Sequence, residues 1–315
     1  MNRELKEGFV DRINEYSTKH RLLASKYGYY YISPMPSKNE LAKYYATKYL
    51  KDPLEVSSKG IDVGDDDVLE RFHYERQYRE IISFINEYFE SDEIKILDVG
   101  CGTGKLLSYL KESGLCNLYG TEFDVSLSIP DISIFHGDFM DYQPTEQFDF
   151  IIMNNVLEHV TDPEHFLEKA YSLLNNRGYL RVQVPNDLSY AQFRVLKRKS
   201  KPSYYFILPN EHLNYFDFES LQRMLRAKGF KVVKKMTTWP MEMFIAMGID
   251  YTDNPSIGNK CHKYRLNFEY RMGEKFLLEF YERMADLEFG RVVIEYSKKY
   301  SHINNILNSG TNRNE

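Results

Sequence analysis

The sequence predicts a doubly wound α/β domain built on a mostly parallel sheet, and three observations predict it. Ile94, Ile96, Leu97 and Val99 make a short, nearly continuous apolar run, the pattern of a strand buried on both faces. Gly100, Gly102 and Gly104 follow directly, and Leu106, Leu107 and Leu110 then recur at helical spacing up to Gly114, so the chain reads strand, glycine-rich turn, helix. Short apolar runs go on alternating with helical periods as far as Thr238, as in a parallel sheet with crossover helices.

Residues 1–91 read as a helical leader or cap. Tyr27 to Tyr31 is rich in aromatic rings, and Pro34 and Pro36 stop any helix there. Leu41, Tyr44, Tyr45 and Tyr49 recur at helical spacing, consistent with a helix packed on the main domain or with a tyrosine-lined wall of a pocket. Gly60 to Asp67 is a turn-prone acidic loop, and Leu69 to Phe89 a long helix with Ile81, Ile82, Ile85 and Phe89 on one face.

Beyond the glycine turn, strands are expected at Leu118–Glu122, Ile132–Phe135, Phe148–Met153 and Tyr179–Val184. Asp162-Pro163 starts a helix with a capping acid and a proline at its first position, and Gly178 is its expected end. Asp217 caps a further helix that Gly229 stops, followed by a sixth strand over Lys231–Thr238 and a seventh over Arg291–Tyr296. Between the last two lies an excursion, Pro240 to Phe289, Met-rich at its start and helical in its second half through Leu277, Phe280, Tyr281, Met284 and Leu287.

The glycine spacing is informative. A dinucleotide fingerprint needs G-x-G-x-x-G, whereas this turn runs G-x-G-x-G, and a P-loop is excluded because Gly104-Lys105 leads to Leu106 instead of Ser or Thr. Asp98 to Gly104 resembles the first motif of the class I S-adenosylmethionine-dependent methyltransferases, an acid followed by three alternate glycines. The run from Phe148 to Asn186, with Leu157-Glu158-His159, and the segment Glu211-His212-Leu213-Asn214-Tyr215-Phe216 resemble later parts of the same family, in the same order.

The resemblance implies a seven-stranded, mostly parallel, Rossmann-like sheet, its last strand inserted antiparallel between the fifth and sixth. The methyltransferase domain would span residues 92–298, with a helical insertion over 240–289 and a polar tail over 299–315. S-adenosylmethionine is the implied cofactor. It implies donor contacts from Asp98, Gly100, Cys101, Gly102, Gly104 and Asn154, with Glu122 holding the ribose hydroxyls and Asp138 and Phe139 meeting the adenine. Glu122 ends its strand about 20 residues past the turn, where a ribose-binding acid is expected in α/β sheets; Asp124 is the alternative.

The acceptor is expected to be a small molecule, a sugar or nucleotide-linked sugar hydroxyl. Such a hydroxyl needs a base, and of the histidines near the carboxyl edge of the sheet His212 is the first candidate and His159 the second, with His136 facing the donor. Arg194, Lys197, Arg198, Lys199 and Lys201 form either a solvated helix end or a lid meeting a phosphate on the acceptor. A net charge of -5 argues against nucleic acid held by bulk electrostatics. The absence of a long apolar run argues against a membrane span. Cys101, Cys116 and Cys261 have neither disulfide nor metal-ligand spacing, so no metal is expected and the compartment reads as cytoplasmic. The insertion is a candidate subunit contact. A nucleic-acid methyltransferase, a nicotinamide-dependent oxidoreductase and a non-catalytic scaffold of the same fold are the competing readings.

Overall fold

The computed structural model describes residues 3–300 apart from 18, 38, 42, 44–66, 124–126, 198–203, 205 and 210. It begins with helix α1 (Arg3–Tyr16), a hairpin of β1 (Arg21–Ala24) and β2 (Tyr30–Ser33), and helix α2 (Asp67–Tyr88). The main sheet then forms from β3 (Ile96–Val99), β4 (Leu118–Glu122), β5 (Ser133–His136), β6 (Phe148–Asn154), β7 (Leu174–Pro185), β9 (Phe230–Met236) and β10 (Val292–Lys299). Its seven strands lie in the order β5-β4-β3-β6-β7-β10-β9. Pairing is parallel from β5 to β7, and β10 runs antiparallel to both β7 and β9. This is the topology expected from the sequence. The order reverses at β3, so the crevice beyond the carboxyl ends of β3 and β6 is the place for a ligand.

Both faces of the sheet are covered. Ile96, Phe150, Ile152 and Ile294 pack with Ile81, Phe84 and Ile85 of α2 and with Leu277 and Tyr281. Leu97, Val99, Ile151, Met153, Leu180 and Val182 pack on the other face with Leu167, Leu221 and Leu225. Adjacent residues of β3 thus enter different cores, which explains why its apolar run is continuous. Helices α3 (Lys105–Glu112), α4 (Pro163–Leu173), α5 (Tyr190–Leu196) and α6 (Phe218–Ala227) complete the layers. Asp162 caps α4 by accepting from the His165 amide at 3.1 Å, and Asp217 caps α6 by accepting from the Ser220 amide at 2.9 Å, as their sequence positions predict.

Three differences from the sequence reading have physical reasons. The helix expected to reach Gly178 stops at Leu173, because Leu174 already pairs with Phe148 of β6; the register then slips, and Phe150 pairs with Tyr179. Arg177, at φ 72°, turns the slack in left-handed backbone. The leader contains a hairpin as well as helices: β2 pairs with the two-residue strand β8 (Asn214–Tyr215), a long-range pairing that no local periodicity announces. The excursion between β9 and β10 is three helices, α7 (Glu242–Ala246), α8 (Pro255–Met272) and α9 (Glu274–Asp286), where only the last had a clear helical period. Leu41 is helical as expected, but Tyr44, Tyr45, Tyr49 and the loop from Gly60 to Asp66 lie outside the described residues.

Helix α2 is fastened to the sheet by a buried ion pair. Arg181 of β7 donates through Nε to the Tyr296 hydroxyl at 3.0 Å and through Nη2 to Glu80 of α2 at 3.4 Å, while Tyr296 donates to the same Glu80 oxygen at 2.8 Å. Arg181 and Glu80 are 1% and 3% exposed, so removing either partner strands the other charge in the interior. Glu80→Ala should therefore lower unfolding stability by about 3 to 5 kcal/mol. Urea denaturation of the variant checks this, and a loss typical of a surface substitution would mean that water reaches Arg181.

Candidate active site

A cavity of about 300 Å³ opens where β3 and β6 end, on the face of the sheet that α2 covers. Its wall is Asp98 and the turn from Gly100 to Thr103 on one side, Asn154, Asn155, Arg181 and Gln183 on another, and Tyr74, Gln77, Tyr78 and Ile81 of α2 on the third. The turn can line it because Gly100 and Gly102 take φ of 67° and 56°, which side chains with a Cβ seldom adopt. A Cβ added at Gly102 would meet nothing within 4 Å, so the space beside this backbone is open to a ligand. Glu122 braces the turn from β4: its Oε2 accepts the Gly102 amide at 2.6 Å and its Oε1 the Phe123 amide at 2.7 Å.

Asp98 is buried at the cavity edge. Burial pushes its carboxyl up to about 7, the positive charge of Arg181 working against that rise and the negative charge of Glu122 adding to it. Asn154 accepts a hydrogen bond from Nη1 of Arg181, and Gln183 accepts one from Nη2 at 3.2 Å. The ion pair that clamps α2 thus also sets two amide side chains of the cavity.

Beyond β6 the chain forms a second polar cluster. Glu158 is 1% exposed, and its carboxyl lies well above the usual carboxylate range, chiefly through burial, with Asp187 adding to the rise. His159 and His212 stand with ring centres 5.1 Å apart, nearly perpendicular. Two loops bring them together. The Leu213 and Asn214 amides donate to the Glu158 carbonyl at 2.6 and 3.1 Å, and the Asn214 side chain donates to the carbonyls of Leu157 and Val160 at 2.9 and 2.7 Å. The loop after β6 and the segment leading into β8 therefore move as one piece.

Residues 71–235 match the family described as "Methyltransferase domain". The chain belongs to the methyltransferase-domain family. A ubiquinone biosynthesis O-methyltransferase of Actinobacillus pleuropneumoniae is 30% identical over 164 residues, 43% of this chain and 68% of that one. Trans-aconitate 2-methyltransferases of Escherichia coli are 26% identical over 99 residues, 29% of this chain, and the match spans only 39% of their length. Among solved structures, the 1,6-didemethyltoxoflavin-N1-methyltransferase of Burkholderia thailandensis, with S-adenosylhomocysteine bound, covers 91% of this chain and 98% of its own at 10% identity and TM-score 0.48.

The fold brings Asp98, Gly100, Cys101, Gly102 and Asn154 together around the cavity. Gly104 starts α3 instead, and a Cβ there would sit 2.1 Å from Ile129, so its role is packing. Glu122, Asp138 and Phe139 stand outside the cavity wall, Glu122 turned to the backbone of the turn. Asp138 caps a short turn by accepting from the Met140 amide at 2.9 Å, and Phe139 is buried against Phe166. His136 ends β5, apart from the histidine pair, and Asp124 lies outside the described residues.

Sequence reasoning missed Tyr74, Gln77 and Tyr78, which no local motif marks, and Arg181. The last had a signal: a cation between Leu180 and Val182 of an expected buried strand must find a buried partner. Of the basic run, Arg194 and Lys197 lie over the rings of Tyr190 and Phe193, and Arg198, Lys199 and Lys201 fall outside the described residues. Among the described residues no helix is long and apolar enough to cross a membrane.

The raised carboxyl of Asp98 makes stability depend on pH. Its folded-state value, about 7, lies above the ordinary 3.8, so the folded chain holds the proton that the unfolded chain releases. Stability should fall as pH rises from about 4 to about 7, and Asp98→Asn should flatten that slope. Thermal unfolding of both proteins across this range is the measurement; parallel slopes would show that water already reaches the carboxylate.

Proposed function

We propose that this methyltransferase moves the methyl group of S-adenosylmethionine to a hydroxyl of a small-molecule acceptor, of the sugar or nucleotide-linked sugar class. The observation that carries the reading is the pairing of two polar sites at the carboxyl edge of the sheet: a cavity walled by a glycine turn and buried Asp98, and a histidine pair on the loops beyond β6. The relative that matches over 68% of its length is named an O-methyltransferase, which supports oxygen as the acceptor atom.

The residues present fit the donor. Open space beside the Gly102 backbone admits an extended ligand, and the carboxylates of Asp98 and Glu122, the Tyr74 hydroxyl and the Gln77 amide suit a cationic amino acid joined to a ribose. When bound, S-adenosylmethionine supplies a methyl on a positively charged sulfur, which leaves as a neutral thioether. Asp98 and the turn would hold the amino-acid part, Glu122 would take the ribose hydroxyls in place of a backbone amide, and Asp138, with the buried Phe139 behind it, would form the adenine side. Tyr74, Tyr78 and Ile81 cover the cavity and keep water from the reacting atoms.

The acceptor proton leaves at the His159–His212 pair. Nδ1 of His159 donates to the Glu211 carbonyl at 2.7 Å, an oxygen that can only accept, so its Nε2 carries the lone pair. His212 receives the proton first in this scheme, and His159 orients it. The basic residues Arg194 and Lys197, with the run that follows them, suit a phosphate on the acceptor.

Calorimetric titration of S-adenosylmethionine, S-adenosylhomocysteine and NAD tests the donor. Both sulfur ligands should bind and NAD should not. Glu122→Ala should weaken donor binding about tenfold or more through the loss of two charge-assisted hydrogen bonds. An unchanged dissociation constant would remove Glu122 from the ribose site. On the acceptor side, His212→Ala should slow methyl transfer by about 10²-fold with donor affinity intact, measured with a panel of sugar and nucleotide-sugar acceptors.

A further inference from the structure

Glu158 and His159 are neighbours in sequence, and the fold brings His212 to them. One ligand atom from each lies within 4.8 Å of the others, and Oε1 of Glu158 is 3.8 Å from Nε2 of His159. Ligands around a tetrahedral ion with bonds near 2.1 Å stand about 3.4 Å apart, so the set needs to close by roughly an ångström, the scale of a rotamer adjustment. We propose that these three side chains hold a divalent transition-metal ion, and that the ion takes the acceptor hydroxyl as its next ligand. The proposal deepens the function just given and rests on it only for the identity of that hydroxyl.

Three observations carry it. Oε2 of Glu158 is fully buried and meets no hydrogen-bond donor among the described residues, although the side chain is 1% exposed. An interior carboxylate left this way is costly unless protonated, paired or bound to a metal. Second, His159 already has the orientation of a metal ligand: its Nδ1 proton is used on the Glu211 carbonyl, which fixes the ring and leaves Nε2 toward Glu158. Third, the frame is rigid, since the Glu158 carbonyl takes the amides of Leu213 and Asn214 and the buried Asn214 side chain spans both loops. His159, its side chain 28% exposed, gives an ion and a substrate a way in.

Two imidazoles and one carboxylate select the zinc, iron, cobalt and manganese class over magnesium or calcium, which prefer all-oxygen sites. Three protein ligands leave a coordination position open. A hydroxyl bound there loses its proton to solvent near neutral pH because the ion stabilises the oxyanion. The oxyanion then forms the C–O bond as the C–S bond breaks; the electron pair of that bond stays on sulfur, and the ion is neither oxidised nor reduced. Here His159 and His212 act as ligands, so release of the proton to solvent replaces its transfer to His212, and the methylated product is the same.

The test uses the full chain, stripped with a chelator and dialysed, then titrated with Co²⁺ as a spectroscopic probe and with Zn²⁺ and Mg²⁺ by calorimetry. One Co²⁺ per chain should bind with visible absorption and be displaced by Zn²⁺, and millimolar Mg²⁺ should not compete. His159→Ala and His212→Ala should each weaken Zn²⁺ binding at least about tenfold. Glu158→Gln, which keeps the buried volume, should do the same. Titration of S-adenosylhomocysteine in every variant reports whether the fold and donor site survive. Failure of Co²⁺ to bind wild type, or a Zn²⁺ affinity unchanged from wild type in both histidine variants, overturns the proposal and leaves Glu158 a buried structural acid. Should metal bind while S-adenosylhomocysteine does not, the donor reading fails and the metal site stands. Should the donor bind and no metal, the metal site alone falls.

Discussion

A guanidinium buried against the middle of a mostly parallel sheet has to be surrounded, and much of this molecule is what surrounds Arg181. Its five N–H groups cannot be left bare in the interior, and they reach Tyr296 on β10, Glu80 on α2, and Asn154 and Gln183 at the strand ends. The antiparallel β10 supplies the hydroxyl and the leader helix supplies the countercharge. Elements from both ends of the chain are thereby tied to one strand, and the cavity lies directly above the tie.

That arrangement explains why the site is so polar and yet closed. Asp98 shares the buried face with Arg181 and is held in low dielectric next to a cation already committed elsewhere, so its carboxyl rises to about 7 despite that neighbour. The glycine turn carries no side chains to fill the space, and Glu122 stabilises its exposed amides from the adjacent strand. A ligand entering here meets carboxylates and amides that are already positioned, which lowers the cost of binding.

The loops beyond β6 follow a separate logic. Their backbone is cross-linked by Asn214 and by amides donating to Glu158, and the small sheet of β1, β2 and β8 anchors the far end of the second loop through the pairing of Tyr31 with Asn214. The leader therefore contributes twice: α2 walls the cavity, and the hairpin supports the segment that carries His212. The cavity and the histidine pair sit on different supports, so either can change without dismantling the other.

The strands, the helices and the glycine turn were legible because they rest on local patterns: short apolar runs, period-3.6 hydrophobicity, capping acids at Asp162 and Asp217, and alternate glycines where the backbone must turn sharply. The place of the antiparallel last strand came from the resemblance. The resemblance of three ordered motifs supplied the family. What the sequence could not show are contacts between residues far apart in the chain. Glu80 with Arg181, β2 with β8, and the Glu158-His159 pair with His212 are meetings made by packing, and no periodicity encodes them. The early end of α4 at Leu173 has the same origin, since pairing with Phe148 outweighs a helical pattern that continues for several residues. Local propensity chose the elements; burial of charge and pairing across the fold decided where the site lies.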